Sequence, residues 1–202
     1  MPFTVQTNRA SGYKVEEADW DALTDNTTFL NTAFHIPLFP LSPGIAPSSG
    51  LQGAGYALKQ STDAATIKPE WPELSFDPTT AEGRIWNGRV PRGYGSTPTL
   101  VGAFYTGATS GNLVLASQMA CMSDTDTSVV SKPYAAENTI TIATPASANK
   151  LAYFSMSMAI ADSIAAGDWF SLMFRRNASS GSDTVNSNDM LLLLLDLYFA
   201  LA

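Results

Sequence analysis

Between residues 139 and 176 apolar and polar side chains alternate, and this constrains the chain more than any other feature. Phe154, Met156, Met158 and Ile160 alternate with Ser155, Ser157 and Ala159; Phe170, Leu172 and Phe174 alternate with Trp169, Ser171, Met173 and Arg175. Ile140 and Ile142 alternate with Thr139, Thr141 and Ala143. Successive side chains of an extended chain point to opposite faces, so a period of two means one buried face and one wet one, as in antiparallel sheets. Strands are predicted at 73–77, 83–90, 98–106, 112–122, 138–144, 150–160, 168–176 and 189–200. Turn formers such as Asp77-Pro78 and Gly93-Tyr94-Gly95 separate the early ones. Eight short strands with no long helix between them predict an all-β fold, an eight-stranded antiparallel jelly-roll β-sandwich over residues 72–202. That length is enough for a core.

Residues 1–71 read differently, as an N-terminal arm. Glu16, Glu17 and Asp19 cluster where the positive end of a helix dipole favours acids, and Val15, Ala18, Ala22 and Leu23 fall on one stripe. A short helix is predicted over about 15–24, too short to hold without a surface to dock on. Pro37, Pro40, Pro43 and Pro47 stand among large apolar residues. Proline forbids a regular helix or a central strand there, and so many apolar residues do not suit a disordered linker. Residues 34–56 are therefore expected to be extended and buried against another surface. Ser48 to Gly55 has hinge composition, and residues 68–72 form a strap. The last predicted strand is apolar on both faces. Leu191, Leu193, Leu195, Leu197 and Phe199 are assigned to the core; Met190, Leu192, Leu194 and Tyr198 need cover from another subunit or from the arm.

The charged fraction is 14% and the net charge −7. This argues against nucleic acid, which needs a basic footprint, and against attachment to anionic lipid. The single cysteine, Cys121, excludes an intrachain disulfide and fits a reducing compartment. The first residues lack the pattern of a signal peptide. The apolar run 190–195 is far below the roughly 20 residues that a membrane span requires.

Few residues carry a pattern of chemistry. His35 is the only histidine and sits in a packing context between Phe34 and Ile36. Cys121 reads as a buried, inert thiol. Asp124 and Asp126, like Asp183 and Asp189, lack EF-hand spacing and read as solvated loops. Glu73, Asp77 and Glu82 lie beside turns, which does not favour paired carboxylates for glycoside cleavage. No catalytic, cofactor or metal residue is assigned. Trp71, Trp86, Tyr94 and Tyr105 can line a sugar-binding surface or pack in the core and at strand edges. Arg84, Arg89, Arg92, Arg175 and Arg176 lie in or beside strands and suit bidentate contacts between subunits.

Four motifs occur in order: Leu74-Ser-Phe-Asp-Pro78, Arg89-Val-Pro-Arg-Gly-Tyr94, Ala108-Thr-Ser-Gly-Asn-Leu-Val114 and Ala166-Gly-Asp-Trp169 running to Arg176. With the closing apolar strand they resemble a group of small jelly-roll virion structural proteins of tailed bacteriophages, over roughly residues 72–201. Ala18-Asp-Trp-Asp21 is similar to an Ala-Asp-Trp-Asn-like segment of phage structural proteins, with Asp21 in place of Asn. The last strand departs from the group in being apolar on both faces. The resemblance implies a virion component assembled in the bacterial cytoplasm, and not an enzyme. A head decoration or minor capsid protein is expected, a homo-oligomer (a trimer) whose arm clamps the major capsid protein or another virion protein. The alternative is a tail or fibre module that binds a surface glycan. Expected interface residues are Trp20, Leu23, Phe34, Ile36, Leu38, Phe39 and Leu41 in the arm, Arg89 and Arg92, and Leu192, Leu194 and Tyr198 on the last strand.

Overall fold

The computed structural model describes residues 33–64 and 66–200. These contain eleven strands in two sheets and no helix. The strands are β1 (Ala33–Phe39), β2 (Gln52–Gly53), β3 (Gly55–Gln60), β4 (Glu70–Phe76), β5 (Glu82–Arg89), β6 (Thr99–Thr106), β7 (Asn112–Met122), β8 (Asn138–Ala143), β9 (Ala152–Ser157), β10 (Trp169–Arg176) and β11 (Met190–Ala200). The first sheet runs β3-β4-β11-β6-β9, with β1 also paired to β11; the second runs β2-β5-β10-β7-β8. All pairings are antiparallel except the short β2–β5 ladder.

Each of the eight predicted strands overlaps one of β4 to β11. The expected count of eight is corrected to eleven, because residues 33–60 supply three more. β11 is long enough to hold two neighbours along one edge: Met190 to Leu192 pair with β4, and Leu195 to Ala200 pair with β1. β1 occupies an outer position, where a proline such as Pro37 is tolerated because one side of the strand owes no hydrogen bond. The Pro-rich segment thus begins as an edge strand beside β11 instead of lying over its face. The helix predicted over 15–24, with Trp20 and Leu23, lies outside the described residues.

The core fills the space between the sheets with aromatic rings. Phe154 stacks on Phe174 at 5.7 Å between centroids, and Phe76 meets Phe174 edge-on at 5.7 Å. Phe170 packs against Phe199 at 6.3 Å. Such offset and T-shaped contacts are the favoured geometries of aromatic pairs. Gly102 makes this packing possible: a Cβ there would lie 2.4 Å from the Phe154 ring.

The face assignment along β11 differs from the expectation. A register shift falls between Leu192 and Leu194. A bulge adds one residue to one strand and exchanges the faces beyond it. Met190 and Leu192 are therefore fully buried in the core with Leu195, Leu197 and Phe199, whereas Leu191, Leu193 and Leu194 are half-buried.

Candidate functional site

Residues paired across a ladder share a face. Leu192 pairs with Leu74 and with Phe104, all in the core. One position on, Leu191 pairs with Ser75 and with Tyr105, so these point outward. Along β4 the same parity turns Trp71 and Glu73 outward, and Lys59 joins them through its pairing with Trp71. Period two thus delivers an aromatic, a carboxylate, a phenol and an amine to the outer face of the first sheet.

Lys59, Trp71 and Tyr105 among them border a cleft of about 450 Å³, lined also by Asn149, Leu151 and Leu191 with residues 60–62. Asn149 adopts a positive φ of 59° and is anchored by its backbone N–H to the Thr106 carbonyl at 2.8 Å, which fixes the wall opposite β3. Tyr105 donates a short hydrogen bond across β11 to the Glu73 carboxylate. Burial pushes the Tyr105 phenol up to about 12, helped by the hydrogen bond to Glu73 and its negative charge. Glu73 is only 6% exposed, so the Tyr105 hydroxyl serves to hold a carboxylate with little water around it. The buried Trp71 indole N–H lies near enough to the Tyr105 oxygen to oppose that rise slightly, but its geometry falls short of a hydrogen bond. It has no partner among the described residues. Lys59 makes no ion pair among them either.

The cleft therefore combines flat apolar surface from two aromatic rings with donors and acceptors left partly unmet. A hydroxylated ring offers the complement, an apolar C–H face and a rim of hydroxyls. Its volume falls within the ordinary range for small-ligand sites, about 300–1,000 Å³.

The other sequence candidates are dispersed. Trp86 is 4% exposed and donates to the Ser42 carbonyl at 3.0 Å, so it belongs to the core. Tyr94 is half-buried with its ring edge-on to Phe199, and burial raises its pKa. Cys121 is buried, its thiol donates to the Ala161 carbonyl at 3.3 Å, and burial pushes it up to about 12. The three acids do not converge on one bond. Glu73 accepts from the Tyr105 hydroxyl behind the cleft, whereas Asp77 accepts from the Thr79 and Thr80 N–H groups and Glu82 accepts from the Asp77 N–H. Asp77 is accordingly lowered by those bonds, that from Thr79 first, and Glu82 is raised by burial.

Three of the four loop acids are engaged rather than solvated, and Asp124 is exposed. Asp183 is buried against Arg176, Asp189 accepts from Ser75, and Asp126 pairs with Lys132 at 3.0 Å. Arg176 is fully buried and donates to both Asp183 carboxylate oxygens and to the Asn188 and Val185 carbonyls. It holds the 177–189 loop and is not available to another subunit. Arg84 donates to the Ala54 carbonyl at 2.8 Å and ties the segment before β3 to β5.

Of the expected interface residues, Leu38, Phe39 and Leu192 are buried in this chain's own core. Ile36 packs against the core at its edge, and Phe34 and Leu41 are exposed. Tyr198 stacks on the exposed His35 at 5.2 Å, and Leu194 is half-buried on the outer face. Arg89 and Arg92 are exposed together beside a second cavity. A third cavity of about 610 Å³ lies on the second sheet. Several of its polar groups are engaged within the chain: Arg175 with Glu137 at 2.6 Å, Tyr134 with Ser171 at 2.8 Å, and Gln118 with the Ala135 carbonyl at 2.9 Å.

Comparison with protein-family models and with curated protein sequences gives no match. Among solved structures the chain is similar to a family 11 carbohydrate-binding module from Clostridium thermocellum in complex with a β-1,3-1,4-mixed-linked tetrasaccharide. The TM-score is 0.43 at 11% identity, covering 84% of this chain and 97% of that one. It is also similar to the enzymatically active domain of tailspike protein 4 of bacteriophage CBA120, with a TM-score of 0.40 at 11% identity over 80% of this chain. The chain spans 20% of that tailspike chain. An α-L-arabinofuranosidase bound to arabinose gives a TM-score of 0.43 at 13% identity, covering 83% of this chain and 26% of that one. None of these scores reaches the level at which a shared fold follows.

Proposed function

We propose that this protein is a saccharide-binding β-sandwich that holds a neutral glycan in the Trp71 cleft without cleaving it. One observation carries the reading: Trp71 and Tyr105 meet at a cleft where the indole N–H has no partner among the described residues and the Tyr105 hydroxyl is tied to a nearly buried Glu73 behind it. A buried donor left unmet costs roughly 1–3 kcal/mol, and a hydroxyl placed against it recovers that cost on binding. Glycoside cleavage by the common routes needs two carboxyl groups flanking the bond. The carboxylate beside this cleft is engaged by Tyr105, and Asp77 and Glu82 serve the turn after β4. A glycan array with the full chain tests the reading. Binding of one neutral glycan class, abolished in Trp71→Ala, is the expected result; no binding across the array, or binding indifferent to Trp71, overturns it.

A second reading, a structural component of a tailed-phage virion that grips neighbouring subunits, draws on β11. Leu191 and Leu194 sit half-buried on the outer face of the first sheet, where a lone antiparallel sheet would carry polar residues. This reading expects a concentration-dependent oligomer by sedimentation, dispersed by Leu194→Lys. The two readings are compatible in a virion module that presents a glycan site.

A further inference from the structure

Among the described residues the arginines divide into two groups. Three are engaged within the chain: Arg84 by backbone carbonyls, Arg175 by Glu137 and Arg176 by Asp183. Arg89 and Arg92 are exposed, form no ion pair among the described residues, and line one cavity of about 480 Å³ with Ser123, Asp124 and Asp168. Arg89 is held in place. Its Nε donates to the Gly167 carbonyl at 2.9 Å, in a turn pinned by Gly167 N–H to Val90 O at 3.1 Å and Val90 N–H to Asp168 O at 2.8 Å. Gly167 takes a φ of 89° there, which suits glycine. The terminal nitrogens of a guanidinium fixed through Nε stay free for a bidentate acceptor.

Trp169 stands beside the cavity, between two of its lining residues, Arg89 and Met122. It pairs with Arg89 on one side and Met122 on the other, so its indole shares their face of the second sheet. It is 51% exposed. A large aromatic left half in water beside an unpaired guanidinium is a surface prepared for contact. The acids in the cavity set the kind of anion. Asp168 accepts from the Ala165 N–H at 2.9 Å and belongs to the turn, while Asp124 is exposed at the rim with no ion pair among the described residues. Two carboxylates beside two guanidiniums leave little net field for a multiply charged phosphate, but leave a geometric match for one planar carboxylate. Asp124 remains to accept from hydroxyls on the same ring, while the Ser123 hydroxyl is bonded to Thr125 at 2.7 Å.

We propose that the Arg89–Arg92 cavity, with Trp169 beside it on the same face, is a second saccharide site, on the opposite sheet from the Trp71 cleft, and that it takes the carboxylate-bearing ring of an acidic glycan such as a uronate. The Arg89 guanidinium holds the carboxylate, Arg92 assists, and the ring's C–H face lies on Trp169. The inference extends the saccharide reading but stands on separate residues, so the two fail separately.

The test is calorimetric titration of the full chain with oligogalacturonate, oligoglucuronate and oligomannuronate, with their methyl esters, and with inorganic phosphate. One uronate is expected to bind and its methyl ester to bind at least about tenfold more weakly. Arg89→Gln and Trp169→Ala should each weaken the uronate by about tenfold, while Trp71→Ala leaves it unchanged. Both altered residues are exposed, and an unchanged melting curve verifies folding. Uronate and ester binding alike, no loss in Arg89→Gln, phosphate displacing uronate at equal concentration, or no uronate binding at all would each overturn the proposal. Uronate binding without neutral glycan binding would remove the Trp71 reading and leave this one standing.

Discussion

Two polar clusters in this sandwich obey opposite rules. Around Arg176 every group closes on another: the guanidinium meets both oxygens of Asp183 and two backbone carbonyls, and both side chains are fully buried. Around Trp71 the groups stop short of closure. The indole N–H lacks a partner among the described residues, Lys59 has no counter-ion there, and Glu73 relies on one phenol. A buried ion pair satisfied on all sides fixes one conformation and offers nothing to a ligand. A half-buried cluster with unmet groups keeps a local cost that a ligand relieves. Saturation thus separates the cluster that holds the loop from the cluster that binds.

The comparison can be broken at its saturated end first. Arg176→Met leaves the Asp183 carboxylate buried and uncompensated, and should lower stability by about 3–5 kcal/mol in urea unfolding. A loss below about 1 kcal/mol would mean that the cluster is not structural. At the open end, Trp71→Ala should weaken glycan binding by about tenfold or more, roughly 1.4 kcal/mol or above, with a smaller loss of stability than Arg176→Met. The reverse ranking would make Trp71 a packing residue.

A third site sharpens the rule through pH. Asp196 is 8% exposed, one of its carboxylate oxygens has no partner among the described residues, and burial raises its pKa above 3.8, opposed only by His35. A raised carboxyl keeps its proton longer in the folded state. Stability from this group is therefore greatest in acid and falls as pH rises from 3.8 through the raised value. Asp196→Asn should flatten that part of the stability-versus-pH curve and raise the melting temperature at neutral pH; an unaltered slope refutes the assignment. The smallest effect is expected for Glu137→Gln, which removes the partly exposed pair with Arg175. Such pairs contribute about 0–1 kcal/mol, and thermal melting should register little change.

The sequence showed the sheets more fully than the site. Strands β4 to β11 were legible because period two survives wherever one face is buried. Two features were hidden. Prolines between 34 and 47 read as an arm, because the open edge of β11 that accommodates Pro37 is a property of the assembled sheet. The bulge near Leu193 reversed the expected faces of Leu191 and Leu192, since an added residue in an unbroken leucine run leaves no compositional trace. Trp71 and Tyr105 stood out as aromatics, as did Trp86, which proved to be core. Lys59 and Asn149 were silent: they join the cleft only once β3 and the loop before β9 converge on β4 and β6.

The central claim is that the Trp71 cluster is open to a sugar. The direct measurement is the indole N–H resonance of Trp71 in a heteronuclear spectrum of the full chain, assigned by Trp71→Phe, during titration with neutral β-linked gluco-, manno- and galacto-configured oligosaccharides. The account predicts that one class shifts the Trp71 signal in a saturable way while the Trp86 signal, bonded to Ser42, stays fixed. A Trp71 signal that no member of the series moves would contradict it.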